Sequence, residues 1–206
     1  MTAGHEQPTF EGITDLHKRA LMLVTGINLM MFVVEMGAGP VAGSQSLQAD
    51  ALDFLAAGLT YALSFWAVGR PERQRSGASV LRALLLLVMG LWIGLTTLYQ
   101  FFVHGMPVPE MMGGVGLLAL VANGVSVWLL LAYKDADPRL RSVWLRSRNN
   151  AIGNAAVLIA AGLVVVLGNG APDLIVAGVM VALFLGSSSQ ILTQSWRAWQ
   201  HGAGTP

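Results

Sequence analysis

Residues 79–103 read SVLRALLLLVMGLWIGLTTLYQFFV, a run in which Arg82 is the one charged residue. As an α-helix at about 1.5 Å per residue, this run is longer than the ~30 Å of hydrocarbon in a bilayer. A lipid-facing strand would alternate apolar and polar residues in segments of about ten. Ala83-Leu84-Leu85-Leu86-Leu87-Val88 does not alternate, so the barrel reading fails and the helical one stands.

Five more runs of this kind flank it, roughly Ala20 to Val41, Leu47 to Val68, Met111 to Tyr133, Leu140 to Leu167 and Leu174 to Trp196. The predicted fold is therefore all-α, a polytopic membrane protein of six transmembrane helices. Short connections force neighbouring helices to be antiparallel. They carry turn formers, Gly39-Pro40, Gly105-Met106-Pro107 and Gly168-Asn169-Gly170, which are expected to stop the helices. The organisation read from this is a polar tail over 1–17, a six-helix domain over 18–196 and a short tail over 197–206.

Composition agrees. Of the 206 residues 54% are hydrophobic and 11% charged, against about 25% charged in a soluble domain. That balance excludes both a soluble globular domain and a long disordered chain. The net charge of +1 gives no reason to expect nucleic acid. Cysteine is absent, which removes disulfides, thiolate metal sites and cysteine nucleophiles. The first 16 residues are polar and acidic, the wrong flank for a cleavable signal, so the first helix is expected to stay as a span.

Orientation is read from lysine and arginine. Lys18 and Arg19 precede the first span. Arg70, Arg73, Arg75 and Arg82 surround the second connection, and Lys134, Arg139, Arg141, Arg146 and Arg148 the fourth; Arg197 follows the last span. All 12 basic residues thus fall on one side. Both termini are expected in the cytoplasm, with the lipid bilayer as the first partner and the bacterial inner (plasma) membrane as the location.

Most polar residues within the spans have a packing explanation. Ser187, Ser188, Ser189 and Gln190 can bond to backbone, and Gly90 with Gly94 forms a pair that lets helices approach. Asp173 and Glu110 sit at helix ends, where Asp173 can cap the sixth helix after Pro172. Three acids lie deeper: Glu35, Asp50 and Asp53. An ionisable group costs at least about 2.5 kcal/mol at mid-membrane, so it faces a cavity or a partner. Glu35 follows Asn28 by seven residues and shares its helix face. It reads either as an interhelical hydrogen bond from a protonated acid or as a proton or cation relay. Asp50 and Asp53 are three apart on one face. Asp50 reads either as a helix N-terminal charge or as part of a polar cavity; Asp53 is too deep for the first. Asn150 and Asn154 share a face of the fifth span, as interhelical glue or as ligands. No histidine lies inside a span, so any cation there meets oxygen ligands. An aspartate dyad on one helix with no nucleophile or histidine does not make an enzyme site, and no organic cofactor is indicated.

Asn28 and Glu35, followed by Gly39, Ala42-Gly43-Ser44 and Ser46-Leu47-Gln48-Ala49-Asp50-Ala51-Leu52-Asp53, resemble the signature of the cation diffusion facilitator family. The family's second ligand pair falls on Asn150 and Asn154, and the resemblance covers roughly Ala20 to Trp196. It implies a six-helix fold, usually a homodimer, that exports divalent metal ions from the cytoplasm in exchange for protons. The ion is the transported substrate, held in a roughly tetrahedral site. Carried over residue by residue, that site is Asp53, Ala57, Asn150 and Asn154, with Asp50, Asn28 and Glu35 in support. The chain departs from the pattern. Ala57 stands where the family has Asp, Asn150 where it has His or Asp, and Asn154 where it has Asp. A short member lacking the usual cytoplasmic C-terminal domain, with a weakened or retuned site, is one implication. A transport-inactive partner or sensor that kept the fold is the other.

A level check sharpens the site. Asp53 lies roughly 9 Å down from Leu47, and Asn154 roughly 9 Å up from Arg148, at 1.5 Å per residue. In hydrocarbon about 30 Å thick these levels miss by around 10 Å. They meet only if the fifth helix begins near Leu140 and Arg146 and Arg148 line a wet vestibule.

Overall fold

The computed structural model describes residues 15–67, 70–103, 105–131 and 138–202. The first 14 residues of the predicted tail, the end of the chain from residue 203 and the connection at 132–137 lie outside the described residues. Six helices follow in order: α1 (Asp15–Ala42), α2 (Gln45–Trp66), α3 (Glu72–Val103), α4 (Pro109–Leu131), α5 (Pro138–Leu167) and α6 (Ala171–Gly202). No strand occurs among the described residues. The α1–α2, α3–α4 and α5–α6 turns gather at one end of the bundle, here the hairpin end; the start of α1 and the end of α6 lie at the other, here the termini end.

Five of the helices are long and apolar enough to cross a membrane, and α2 is not among them. Its 22 residues include Gln45, Ser46, Gln48, Asp50 and Asp53. Yet α2 touches all five other helices, and most of it is buried from Gln45 to Gly58. A helix wrapped in protein need not match hydrocarbon, so α2 can carry polar groups that a lipid-facing helix cannot. The lipid boundary falls to its neighbours: Leu84, Val88, Trp92 and Leu95 of α3 and Ile175, Val179 and Leu183 of α6 are exposed in the bundle. At the termini end Arg70 lies 5.0 Å over the Trp66 ring and Arg148 5.5 Å over Trp144. Such pairs suit a membrane–water interface.

Small residues set the helix spacing. An added Cβ on Gly90 would come within 2.9 Å of Leu185 and one on Gly94 within 3.2 Å of Val181, so this pair seats α3 on α6. The serines of α6 bond to their own helix, Ser187 to the Leu183 carbonyl at 2.9 Å and Ser189 to that of Gly186 at 2.9 Å.

Two expectations at the hairpin end are corrected. Gly39-Pro40 does not stop the first helix: Pro40 lies inside α1, which ends at Ala42. The stop is Gly43, whose φ of 66° is the left-handed conformation that ends helices. Nor does the Asp173 carboxylate cap α6. It reaches across to the start of α2, where it accepts from Ser44 Oγ at 2.7 Å, Gln45 N at 2.8 Å, Ser46 N at 3.1 Å and Ser46 Oγ at 2.6 Å. The donors at the start of α2 outnumber what Ser44 alone can satisfy, and a carboxylate takes several at once. Ser44 Oγ also accepts from Leu47 N at 3.2 Å. Thr96 and Thr97 of α3 donate to Gln45 Oε1 at 3.0 and 3.2 Å. The Val108 amide donates to the Ala42 carbonyl at 2.8 Å.

Candidate functional site

The inward faces can be followed helix by helix. On α1 the stripe Val24, Asn28, Met31, Glu35 recurs at helical spacing and is at most 1% exposed throughout. On α4 Met112, Gly116, Ala119, Asn123, Ser126 and Leu130 are buried. On α5 Ser147, Asn154, Val157, Ala161 and Val164 form the corresponding stripe, with Asn150 half-buried between them. Each helix thus contributes polar side chains to a face that is otherwise core.

Some of these groups have ordinary partners. Asn28 Nδ2 donates to the Val24 carbonyl of its own helix at 2.7 Å, and Ser126 Oγ donates to that of Ala122 at 2.9 Å. Others have none. Glu35 and Asp50 are both 0% exposed, and no third group among the described residues donates to any of their four carboxyl oxygens. The two groups face each other across α1 and α2 within hydrogen-bonding reach, so a single proton can be shared between them. The amides of Asn123 and Asn154, also fully buried, have both polar atoms unpartnered, and so does Asn150 Nδ2. Buried polar groups are paired in the great majority of cases, so a concentration of unpaired ones marks a place where something else binds.

Asp50 is not a helix-terminal charge. Ser44 and Asp173 hold the start of α2, and Asp50 lies a turn and a half further in, facing α5. A Cβ on Gly153 would stand 3.4 Å from Asp50 Oδ1. That is ordinary contact, so Gly153 marks where the carboxylate meets α5. Asn154 follows Gly153 directly and lies three residues before Val157, which packs in one cluster with Leu47 of α2 and Met112 of α4. Asn154 is therefore about level with Asp50. Since α2 and α5 run antiparallel, three residues further towards the termini end on α2 and four on α5 bring Asp53 about level with Asn150.

Asp53 is half-buried, within electrostatic range of both the other two acids and Arg146. Arg146 and Arg148 are exposed at the termini end, and α5 begins at Pro138, as the level check required. Arg82 is half-buried there too and donates from Nη1 to Thr60 Oγ1 at 2.7 Å. Ala57 is different: it is 1% exposed in an apolar cluster with Leu21, Val24, Tyr61 and Leu130. The fourth position of the inherited ligand set is occupied by core.

The structure thus gathers Glu35, Asp50, Asp53, Asn150 and Asn154 towards one interior, leaves Asn28 bonded to its own helix, and packs Ala57 away. Two contributors escape sequence reasoning, Asn123 and Gly153. An amide in an apolar span at the spacing of Ser126 was the available signal for Asn123. Nothing local marks Gly153.

A family model described as the cation efflux transmembrane domain matches residues 21–198. No curated protein matches the chain. The matched segment takes in all six helices, and the chain belongs to the cation efflux family. It is an integral, multi-pass membrane protein and a cation transporter of the cation diffusion facilitator kind, with a metal cation as its substrate.

Proposed function

With that membership as the premise, we propose that this chain exports a divalent metal cation from the cytoplasm in exchange for protons, as a homodimer in the bacterial inner membrane. Both termini face the cytoplasm, where every lysine and arginine lies. The ion enters past Arg82, Arg146 and Arg148, meets Asp53 and Asn150 about level with each other, and passes to Asn154. Asp50, Glu35 and Asn28 support the path. Rocking of α1, α2, α4 and α5 about this interior opens it to either side in turn.

The observation that carries this reading is the set of buried oxygens without donors on α1, α2 and α5. A cation is the ligand that satisfies carboxylates and amide oxygens together. The test is flux of zinc, cobalt, nickel, manganese and iron(II) ions into vesicles carrying the purified chain. Flux above protein-free vesicles is expected for at least one ion.

A second reading rests on Ala57. With that position in apolar core, the chain keeps the fold as a non-transporting partner or sensor. No flux from the native chain, with flux gained on Ala57→Asp plus Asn150→Asp, would identify an inactivated transporter.

A further inference from the structure

The ligand set inherited from the family keeps one carboxylate, Asp53, and that one is half-buried within electrostatic range of the Arg146 guanidinium. One turn nearer the hairpin end the chain holds two fully buried carboxylates, Glu35 and Asp50, that the ligand set does not use. They lie within hydrogen-bonding reach of each other, and apart from a proton shared between them no donor among the described residues reaches either. Structural acids elsewhere in this molecule are not left so: Asp173, 1% exposed, accepts four hydrogen bonds. A pair of buried acids alone could be interhelical glue. Asn154 adds an independent sign, since it is 0% exposed, lies about level with Asp50, and has both amide atoms unpartnered. Gly153, the residue before it, stands against Asp50 Oδ1, which puts this stretch of α5 at the acid pair.

We propose that the cation is held by Glu35, Asp50 and the Asn154 carbonyl, about one helical turn towards the hairpin end of the inherited ligand positions, and that it is a hard divalent ion of the manganous type. The displacement rests on the transport reading above for its role, though not for its existence. Two carboxylates balance the charge of one dication in a low-dielectric interior. These three side chains offer only oxygen to the ion, with neither thiolate nor imidazole among them, and such a set suits manganese, magnesium or calcium chemistry. Three helices converge on the ion, so its binding ties α1 and α2 to α5.

Manganous ion titrated against the purified full chain in detergent tests this, with the free ion read from its paramagnetic resonance signal. The native chain is expected to bind about one ion. Glu35→Gln, Asp50→Asn and Asn154→Leu are each expected to weaken binding about tenfold or more, the scale of one lost contact to a charged group. Asp53→Asn is expected to weaken it less than either acid variant does, and Glu110→Gln, an exposed acid in the first turn of α4, to change it less than threefold (~0.6 kcal/mol by the same conversion). Asn154→Leu removes an amide with no partner among the described residues, so it keeps the fold and separates lost binding from lost structure. Absence of binding by the native chain overturns the site, and so does loss at Asp53→Asn with Glu35→Gln and Asp50→Asn unchanged. Vesicle flux that survives both acid variants also overturns it while leaving transport standing. Binding in the expected pattern by a chain that moves no ion keeps the site and defeats the transport reading.

Discussion

The hairpin end and the middle of the bundle each bury carboxylates, and they treat them in opposite ways. Asp173 sits between the first turns of α2 and α6 with four donors within 3.1 Å. Glu35 and Asp50 lie deeper in the bundle with no donor among the described residues beyond each other. Both regions are equally closed to solvent, since Asp173 is 1% exposed and the other two 0%. Burial therefore does not separate them; partners do. A saturated carboxylate has a structural duty, here to bind the start of α2. An unsaturated one is unfavourable in isolation and persists where a ligand completes it. The same chain supplies both cases, so each is a control for the other.

That contrast can be broken at either side. Asp173→Ala should have the largest effect, because it orphans two backbone amides and two hydroxyls at about 1–3 kcal/mol each when buried. A loss of at least about 4 kcal/mol is expected from the four groups together, read as a large fall in thermal unfolding temperature in detergent. The opposite sign is expected when the middle is filled. Manganous ion at a hundredfold above its dissociation constant should stabilise the native chain by about 2.7 kcal/mol. Glu35→Gln should lose most of that gain, and an equal gain in the variant would refute the contrast. Ser46→Ala removes the hydroxyl 2.6 Å from Asp173 and leaves three of the four bonds, so about 1 kcal/mol is expected from chemical denaturation. Smallest of all, Asp50→Asn without metal should change stability by no more than about 0.5 kcal/mol or raise it, since an uncompensated buried charge is being removed. A loss as large as that of Asp173→Ala would mean that Asp50 has a structural partner after all.

Five of the spans were legible in the sequence because hydrocarbon imposes a length and an apolar composition that those runs satisfy alone; α2 falls short of that measure and is sheltered by its neighbours instead. The helix ends were less so. α3 begins at Glu72 and α6 runs on to Gly202, because polar residues beyond the hydrocarbon extend a helix without adding to its hydropathy. Glu35, Asp50 and Asp53 stood out as acids in apolar runs, and spacing placed Glu35 on the face of Asn28. What spacing could not give was pairing between helices. The contact from Ser44 to Asp173 joins residues 129 apart in sequence. The contact of Asp50 with α5 falls at Gly153, more than 100 residues away in sequence. Ala57 shows the same limit: its position in the inherited pattern suggested a ligand place, and only packing reveals that Leu21, Val24, Tyr61 and Leu130 fill the surroundings.

The enclosure of α2 bears on how the chain is made. Inserted alone, a helix pays about 2.5–3.5 kcal/mol for each aspartate near its centre, and α2 has Asp50 and Asp53 with polar residues before them. Its shelter comes from helices on both sides of it in sequence, and the carboxylate that secures its first turn belongs to α6, which is synthesised after α1 to α5. Until α6 arrives, Gln45 and Ser46 lack the acceptor that Asp173 provides. Biogenesis of this protein is then a closing of its two halves, in which the second helix is completed by the sixth. A ribosome-bound chain truncated before Ala171 should hold α2 loosely and be prone to degradation, with protection acquired in one step when α6 enters the membrane.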